Sequence, residues 1–262
     1  MTLKRALMVL VLTALATLAG CGDDGGRRDL KASVDPGLGP VTYVVTRVTT
    51  DGKEHPLVPG TEIRIRLADA QVTLTAGCNT MSGGYTLEEG RLRVARLSMT
   101  EMGCDRARMD QDTWLAGLFA KPVQLTTGDE PTVVAGRTVL AMADRKQVHP
   151  DKPLLGTRWE LDTVIDGGVA SSLPAGHTAS LRIMGRTLEA TDGCNDGTGA
   201  VLVRNGLIGF SDVVFTRRPC PTSAQVVPEF AAFLDGSGTY EITENRLTIT
   251  RDGHGLGFSA AD

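Results

Sequence analysis

What most constrains this chain is a cysteine-bounded segment that occurs twice. Gly77-Cys78-Asn79 runs through turn-forming residues to Thr100-Glu101-Met102-Gly103-Cys104, and Gly193-Cys194-Asn195 runs likewise to Thr216-Arg217-Arg218-Pro219-Cys220. The cysteines of each pair are 26 residues apart, and residue 78 maps onto residue 194, an offset of 116. The same offset superimposes Tyr43 on Trp159 and Trp114-Leu115 on Phe230-Ala231. A chain that repeats itself in this way folds as two copies of one domain, each with its own cysteine pair.

The start of the chain says where those domains live. Lys4 and Arg5 precede an apolar run from Ala6 to Ala19, and Leu18-Ala19-Gly20 leads into Cys21. A basic start, a short apolar stretch and small residues before a cut describe a secretory signal over residues 1–20, too short to span a bilayer comfortably. No later stretch is long and apolar enough for a transmembrane helix. Cysteine directly after Leu-Ala-Gly resembles a bacterial lipoprotein signal. That resemblance implies acylation of the Cys21 sulfur, removal of the preceding peptide, and a protein lipid-anchored to a membrane of the cell envelope, outside the cytoplasm.

The cysteine count fits this reading. The chain has five cysteines, an odd number that asks for an explanation in an exported protein. Lipidation of Cys21 leaves four, and outside the cytoplasm these are expected to be oxidised. Of the three ways to pair them, Cys78 with Cys104 and Cys194 with Cys220 keeps each disulfide inside one repeat. Neither copy has the Cys-x-x-Cys spacing of a redox motif.

The formal net charge is −4, and loss of Lys4 and Arg5 makes the mature chain more acidic, which argues against a nucleic-acid partner. Residues 21–40 are rich in Gly, Pro and charge, and Asp23, Asp24 and Asp29 offset Arg27, Arg28 and Lys31. They read as a disordered tether that reaches about 60 Å when extended, at ~3.3 Å per residue. A second polar stretch, Asp144 to Pro153, carries two prolines and separates the copies. The organisation is therefore a first domain over 41–145, a linker over 146–153 and a second domain over 154–262.

Each domain is patterned mainly for strands. Ile63, Ile65 and Leu67 alternate with Arg64 and Arg66, the period of a half-buried strand, and Val72 and Leu74 continue it. Leu181, Ile183, Leu188 and Ala190 do the same in the second copy. Ser82-Gly83-Gly84 and Asp196-Gly197-Thr198-Gly199 read as glycine-rich turns, and Glu89-Gly90 and Asn205-Gly206 as tight reversals. The spacing predicts one helix per copy. Arg106 to Ala120 places Trp114, Leu115, Leu118 and Phe119 on one face with Asp105 as N-cap. Its counterpart carries Val226, Val227, Phe230, Phe233 and Leu234, with Ser223 as cap and Pro228 in the first turn. Val133-Val134 with Thr138–Met142, and Tyr240–Ile242 with Arg246–Ile249, close the two domains. The first copy reads as the longer one between helix and final strand.

These residues resemble the META, or HslJ-like, domains of bacterial envelope lipoproteins. The second copy carries the likeness in Gly156-Thr157-Arg158-Trp159-Glu160-Leu161, Gly193-Cys194-Asn195, the Thr216 to Cys220 segment and the helix with Phe230 and Phe233. The first copy keeps Gly77-Cys78-Asn79, Thr100 to Cys104 and the Trp114 helix, but has Tyr43 in place of the tryptophan. The resemblance implies an α+β, mainly β fold: two tandem domains, each a curved antiparallel sheet or open barrel packed around one helix. It also implies association with envelope stress or antibiotic tolerance, and it implies no reaction.

Candidate site residues are few. Asn79 and Asn195 are either ligand contacts or turn residues, and left-handed turn geometry with capping of their own backbone weighs more. Tyr43 and Trp159 are expected to pack over the core helix. Arg217-Arg218 is either an anion site or a solvated face; Glu101-Met102 at the same place in the first copy favours the latter. Asp192 to Gly197 resembles a calcium loop only faintly, with Cys194 at its third position and Val203 at its twelfth. His55, His149, His177 and His254 lack metal-ligand spacing, Glu88-Glu89 sits in a turn, and no nucleophile elbow or phosphate loop is present. The sequence thus argues for a non-enzymatic binding module with no cofactor and no metal. Its partner would be an envelope protein or an apolar small molecule, held on a concave sheet or in the groove between domains. The alternative is an adaptor or inhibitor of another protein, with loops at Ser82-Gly83-Gly84 or Gly197-Thr198-Gly199 as the contact.

Overall fold

The structure, a computed structural model, describes residues 38–173, 176, 178–220 and 228–261. Cys21, the signal segment, most of the tether, His177, Ser223, Val226 and Val227 lie outside them.

The first copy is built from β1 (Val41–Thr50), β2 (Lys53–Glu54), β3 (Arg64–Ala68), β4 (Gln71–Thr75), β5 (Thr80–Glu88), β6 (Arg91–Met99), α1 (Arg106–Phe119), β7 (Val123–Thr126), β8 (Thr132–Ala135) and β9 (Thr138–Asp144). After a single turn of helix, α2 (Arg145–Val148), the pattern repeats in β10 (Arg158–Asp166), β11 (Val169–Ser172), β12 (Ser180–Met184), β13 (Thr187–Thr191), β14 (Asp196–Arg204), β15 (Leu207–Phe215), α3 (Pro228–Phe233), β16 (Gly236–Thr243), β17 (Arg246–Arg251) and β18 (His254–Ala260). Every strand is antiparallel to its neighbours. β1 pairs with both β3 and β9, and β10 with both β12 and β18, so each sheet closes into a barrel with β2 or β11 as an outer flap. Closure pairs β1 and β10 on both sides, while β6 meets β7 only at Arg91 and Leu92, and β15 meets β16 only over Leu207–Phe210.

Alternation fills the interiors. Ile63, Ile65, Leu67, Val72, Leu74, Met81 and Leu92 point inward in the first barrel and are fully or nearly fully buried, as are Trp159, Ile183, Leu188, Ile208, Leu247 and Phe258 in the second. Asp105 caps α1 by accepting from the Arg108 N–H at 3.1 Å. The helix then delivers Leu115 and Phe119 into the first core; α3, opened by Pro228, delivers Phe230 and Leu234 into the second. The interior is a packed core in each case, so the inner face of each sheet is filled by its own side chains among the described residues.

Three expectations are revised. Ser82-Gly83-Gly84 and Gly197-Thr198-Gly199 are not turns or loops but strand interior in β5 and β14. Both strands face a β-bulge, with Arg96 at φ 51° and Asp212 at φ 55° on the opposing strands. A Cβ on Gly83 would lie 2.9 Å from the Ala95 carbonyl oxygen, and one on Gly199 would lie 2.6 Å from a Val213 methyl. Glycine is there because the bulged strand presses in, not because the chain reverses. Second, the burial pattern pairs Leu115 with Phe230 and Phe119 with Leu234, not Trp114 with Phe230. The offset slips by one residue at the helix and is restored at the last strands, where Thr138 and His254 open β9 and β18. The second copy, not the first, is one residue longer between helix and final strand. Third, β7 and β18 each add a strand to the expected closing pair.

Candidate functional site

Both cysteine pairs are disulfides, with Cα–Cα distances of 6.1 Å for Cys78–Cys104 and 5.8 Å for Cys194–Cys220. Beside each one, an asparagine clamps the segment that leads to the second cysteine. Asn79 Oδ1 accepts from Thr100 Oγ1 at 3.0 Å and Met102 N at 2.8 Å. Asn195 Oδ1 accepts from Thr216 Oγ1 at 3.0 Å and Arg218 N at 2.8 Å. Neither asparagine adopts a positive φ; Gly77 and Gly193 do, at 138° and 99°. These side chains are committed to structure, but by tying two loops together and not by capping themselves.

The carboxylate that supports each asparagine comes from a different place. Asn79 N and Nδ2 donate to Asp112 Oδ2 on α1, at 2.7 and 3.1 Å. In the second copy Asp192, at the end of β13, accepts from Cys194 N at 2.8 Å and Asn195 N at 2.7 Å. Asp192 is therefore occupied by backbone N–H groups rather than arranged as a cation ligand. Arg218 donates to the Cys194 carbonyl and to Asp196, both at 2.9 Å, on an exposed face.

Tyr43 and Trp159 occupy the same site in their barrels, opposite Ile65 and Leu181 respectively, and are 6% and 0% exposed. The Trp159 indole N–H donates to the Leu154 carbonyl at 3.3 Å. His55 stacks on Trp114 with ring centroids 4.6 Å apart, and His254 sits 2.9 Å from Asp166. Glu88 ends β5 and Glu89 begins the reversal at φ 50°.

The least expected feature is the junction between the barrels. The β16–β17 turn projects Glu244, held at φ 57°, against the first domain and the linker. Its carboxylate is paired with Arg64 on β3. Its backbone N–H donates to Asp151 Oδ1 at 2.7 Å, and its carbonyl accepts from Lys152 N at 2.7 Å. Asp151 is in turn paired with Arg145, which is 8% exposed and also donates to the His149 carbonyl. Glu62 completes the chain, accepting from Arg64 Nε at 2.6 Å and lying 2.6 Å from His149 Nε2. The stretch read as a linker is thus a buckle. Val44, although on the outward side of β1, is 2% exposed there.

Electrostatics keep this buckle charged. Burial alone would raise the Glu62 carboxyl, but hydrogen bonds from His149 and Arg64 outweigh it and hold Glu62 below the usual carboxylate range. Burial opposes the ionised form of Asp151 too, and the Arg145 bond and the Glu244 N–H overcome it. These groups are poor proton donors near neutrality.

Beside the buckle lies a cleft of about 560 Å³, walled on one side by Thr42, Arg66, Thr73 and Lys146 and on the other by Glu241, Ile242 and Thr243. The groove expected between domains therefore exists, but its walls mix charged and hydroxyl groups with apolar surface from Pro40, Val41 and Ile242. Sequence reasoning missed the buckle because its residues are distant in the chain. The one available signal was the concentration of charge in the supposed linker.

Two tandem, disulfide-braced, closed antiparallel barrels, each with one helix feeding its core, define a two-domain β-barrel protein. The META domain family matches residues 37–148 and 152–262, and the chain belongs to that family, in two tandem copies. Membership is consistent with a non-enzymatic module associated with the cell envelope. No curated protein matches the chain. Among solved structures, an NMR structure of a protein from Burkholderia xenovorans is similar at 20% identity over 45% of this chain and 86% of that one, with a TM-score of 0.35. The beta subunit of DNA polymerase from Streptococcus pyogenes is similar at 9% identity over 85% of this chain and 65% of that one, with a TM-score of 0.21. Likenesses this slight carry no argument about function.

Proposed function

We propose that this chain is a non-enzymatic, lipid-anchored envelope protein that binds a small ligand in the cleft between its two META domains, in a role tied to envelope stress or antibiotic tolerance. The observation that carries the reading is the cleft itself, of about 560 Å³, within the size range of small-molecule sites. The barrel interiors are filled, which leaves surface clefts such as this one as the places to bind. Anchoring rests on the Leu-Ala-Gly-Cys21 signal.

A second reading, an adaptor for another envelope protein, is favoured by a different surface. Leu155, Met184 and Leu202 on the second domain are 49%, 46% and 60% exposed, and Leu155 and Leu202 line an apolar groove of about 490 Å³. This groove replaces the glycine-rich segments as the adaptor's contact. Native mass spectrometry of the chain purified from envelope membranes separates the two. A co-purifying small molecule, lost on substitution of the cleft wall, supports ligand binding. A recurrent protein, lost when Leu202 is made charged, supports the adaptor.

A further inference from the structure

The charges lining the cleft are not equally engaged, and the difference defines a ligand. Arg64 is taken by Glu62 and Glu244, and Arg145 by Asp151. Asp144 accepts the Lys146 backbone N–H at 2.7 Å as the cap of α2. Four charged side chains of the lining form no ion pair among the described residues: Arg66, Lys146 and the helix-capping Asp144 on the first domain, and Glu241 on the second; Lys146 also acts electrostatically on Asp151. Arg66, Lys146 and Glu241 are solvent-exposed.

Their placement follows from the strand register. Arg66 lies directly between Thr42 on β1 and Thr73 on β4, so the three form one cross-strand row on the outer wall. At about 4.8 Å per strand that row is roughly 10 Å long. Lys146 follows the end of β9, which pairs with β1 at Tyr43↔Asp144, and so stands at the Thr42 end of the row. The first-domain wall therefore offers two cations flanked by hydroxyls, the donor set of an oxyanion site, with one carboxylate, Asp144, engaged as the cap of α2. The facing wall offers one carboxylate, Glu241, beside the Thr243 hydroxyl.

We infer that the cleft takes a small dipolar ligand, of the class of free amino acids and short peptides. Its carboxylate lies against Arg66 and Lys146, and its ammonium group against Glu241. A simple polyanion would satisfy the first wall and be repelled by the second, and an organic cation the reverse. Only a ligand carrying both charges is complementary to both walls. This inference rests on the cleft being the binding site, and the test separates the two.

Equilibrium dialysis of the full chain in detergent against radiolabelled alanyl-alanine, and separately against labelled inorganic phosphate, reads both. The expected result is saturable, one-to-one retention of the dipeptide. Arg66→Gln and Glu241→Gln should each weaken it about tenfold, with the melting temperature unchanged because both side chains are exposed. Glu241→Gln should leave phosphate retention equal or stronger. Retention of phosphate but not dipeptide, sensitive to Arg66→Gln, overturns the dipolar class and leaves the cleft as a site for anions. Retention of neither, or retention indifferent to both substitutions, overturns the inference and the cleft reading together.

Discussion

Arg64 on the first barrel is paired with Glu244 on the second, across 180 residues of chain. The partners are about a third and a quarter exposed, so the pair is worth only about 1 kcal/mol by itself. Its importance is positional, because Glu244 is also gripped through both backbone groups by Asp151 and Lys152. Replacing Glu244 by Ala removes the ion pair but keeps both backbone bonds, so each barrel should stay folded and their union weaken by about 1 kcal/mol. Calorimetry should then show a modestly lowered transition for the joined barrels.

Acid should do the same. Glu62 and Asp151 both have folded-state carboxyls held below their ordinary values, which lie near 4. A depressed carboxyl contributes stability that is fully present above its unfolded value and lost as pH falls through its folded one. Domain coupling should therefore be constant from neutrality to about pH 5 and decline below about pH 4. Melting at a series of pH values checks this, and coupling that persists unchanged at pH 2 would show that these carboxylates do not contribute.

The buckle also shows where sequence reading stops. Tyr43 and Trp159 could be matched by offset alone, because strand register preserves spacing: each faces its partner, Ile65 or Leu181, at the same step. The cysteine pairs were legible for the same reason. Helix phase was not, because one residue gained or lost at a helix entry rotates its buried face, and Leu115 replaces Trp114 as the counterpart of Phe230. Glycine was read as reversal, whereas Gly83 and Gly199 serve close approach across a bulge. The cleft depends on pairings such as Glu62 with His149 and Arg64 with Glu244, which no local pattern encodes.

The two asparagine clamps should respond to different carboxylates. Asp112 is fully buried, and one of its oxygens accepts two bonds from Asn79 while Oδ1 has no partner among the described residues. Asp112→Ala should destabilise the first domain by about 1–3 kcal/mol, the range for leaving buried hydrogen-bond donors without their acceptor. Asp192→Ala should do likewise to the second domain. Domain-resolved hydrogen exchange should show each loss confined to its own barrel; a shared loss would mean that the clamps are coupled.

The disulfides should differ in accessibility. Cys220 is exposed, whereas Cys78 and Cys104 are only partly so. Under limiting dithiothreitol the second bridge should open first, as read by alkylation and mass spectrometry. Removing it by Cys194→Ser with Cys220→Ser should cost the second domain about 2–5 kcal/mol, and an unchanged melting temperature would show the bridge to be idle.

Trp159 is fully buried with its N–H bonded to Leu154. Trp159→Ala should cost about 3–5 kcal/mol, seen as a lowered denaturation midpoint for the second domain, with ligand retention in the cleft unaffected in whatever fraction remains folded.

The central claim is that the two barrels form one body with a fixed cleft between them. Backbone ¹⁵N relaxation tests this most directly, because it reads the tumbling of each barrel separately. A single correlation time shared by residues of both domains is the result expected. Two independent, shorter times in the unaltered protein would mean that the barrels move freely and that no fixed cleft exists.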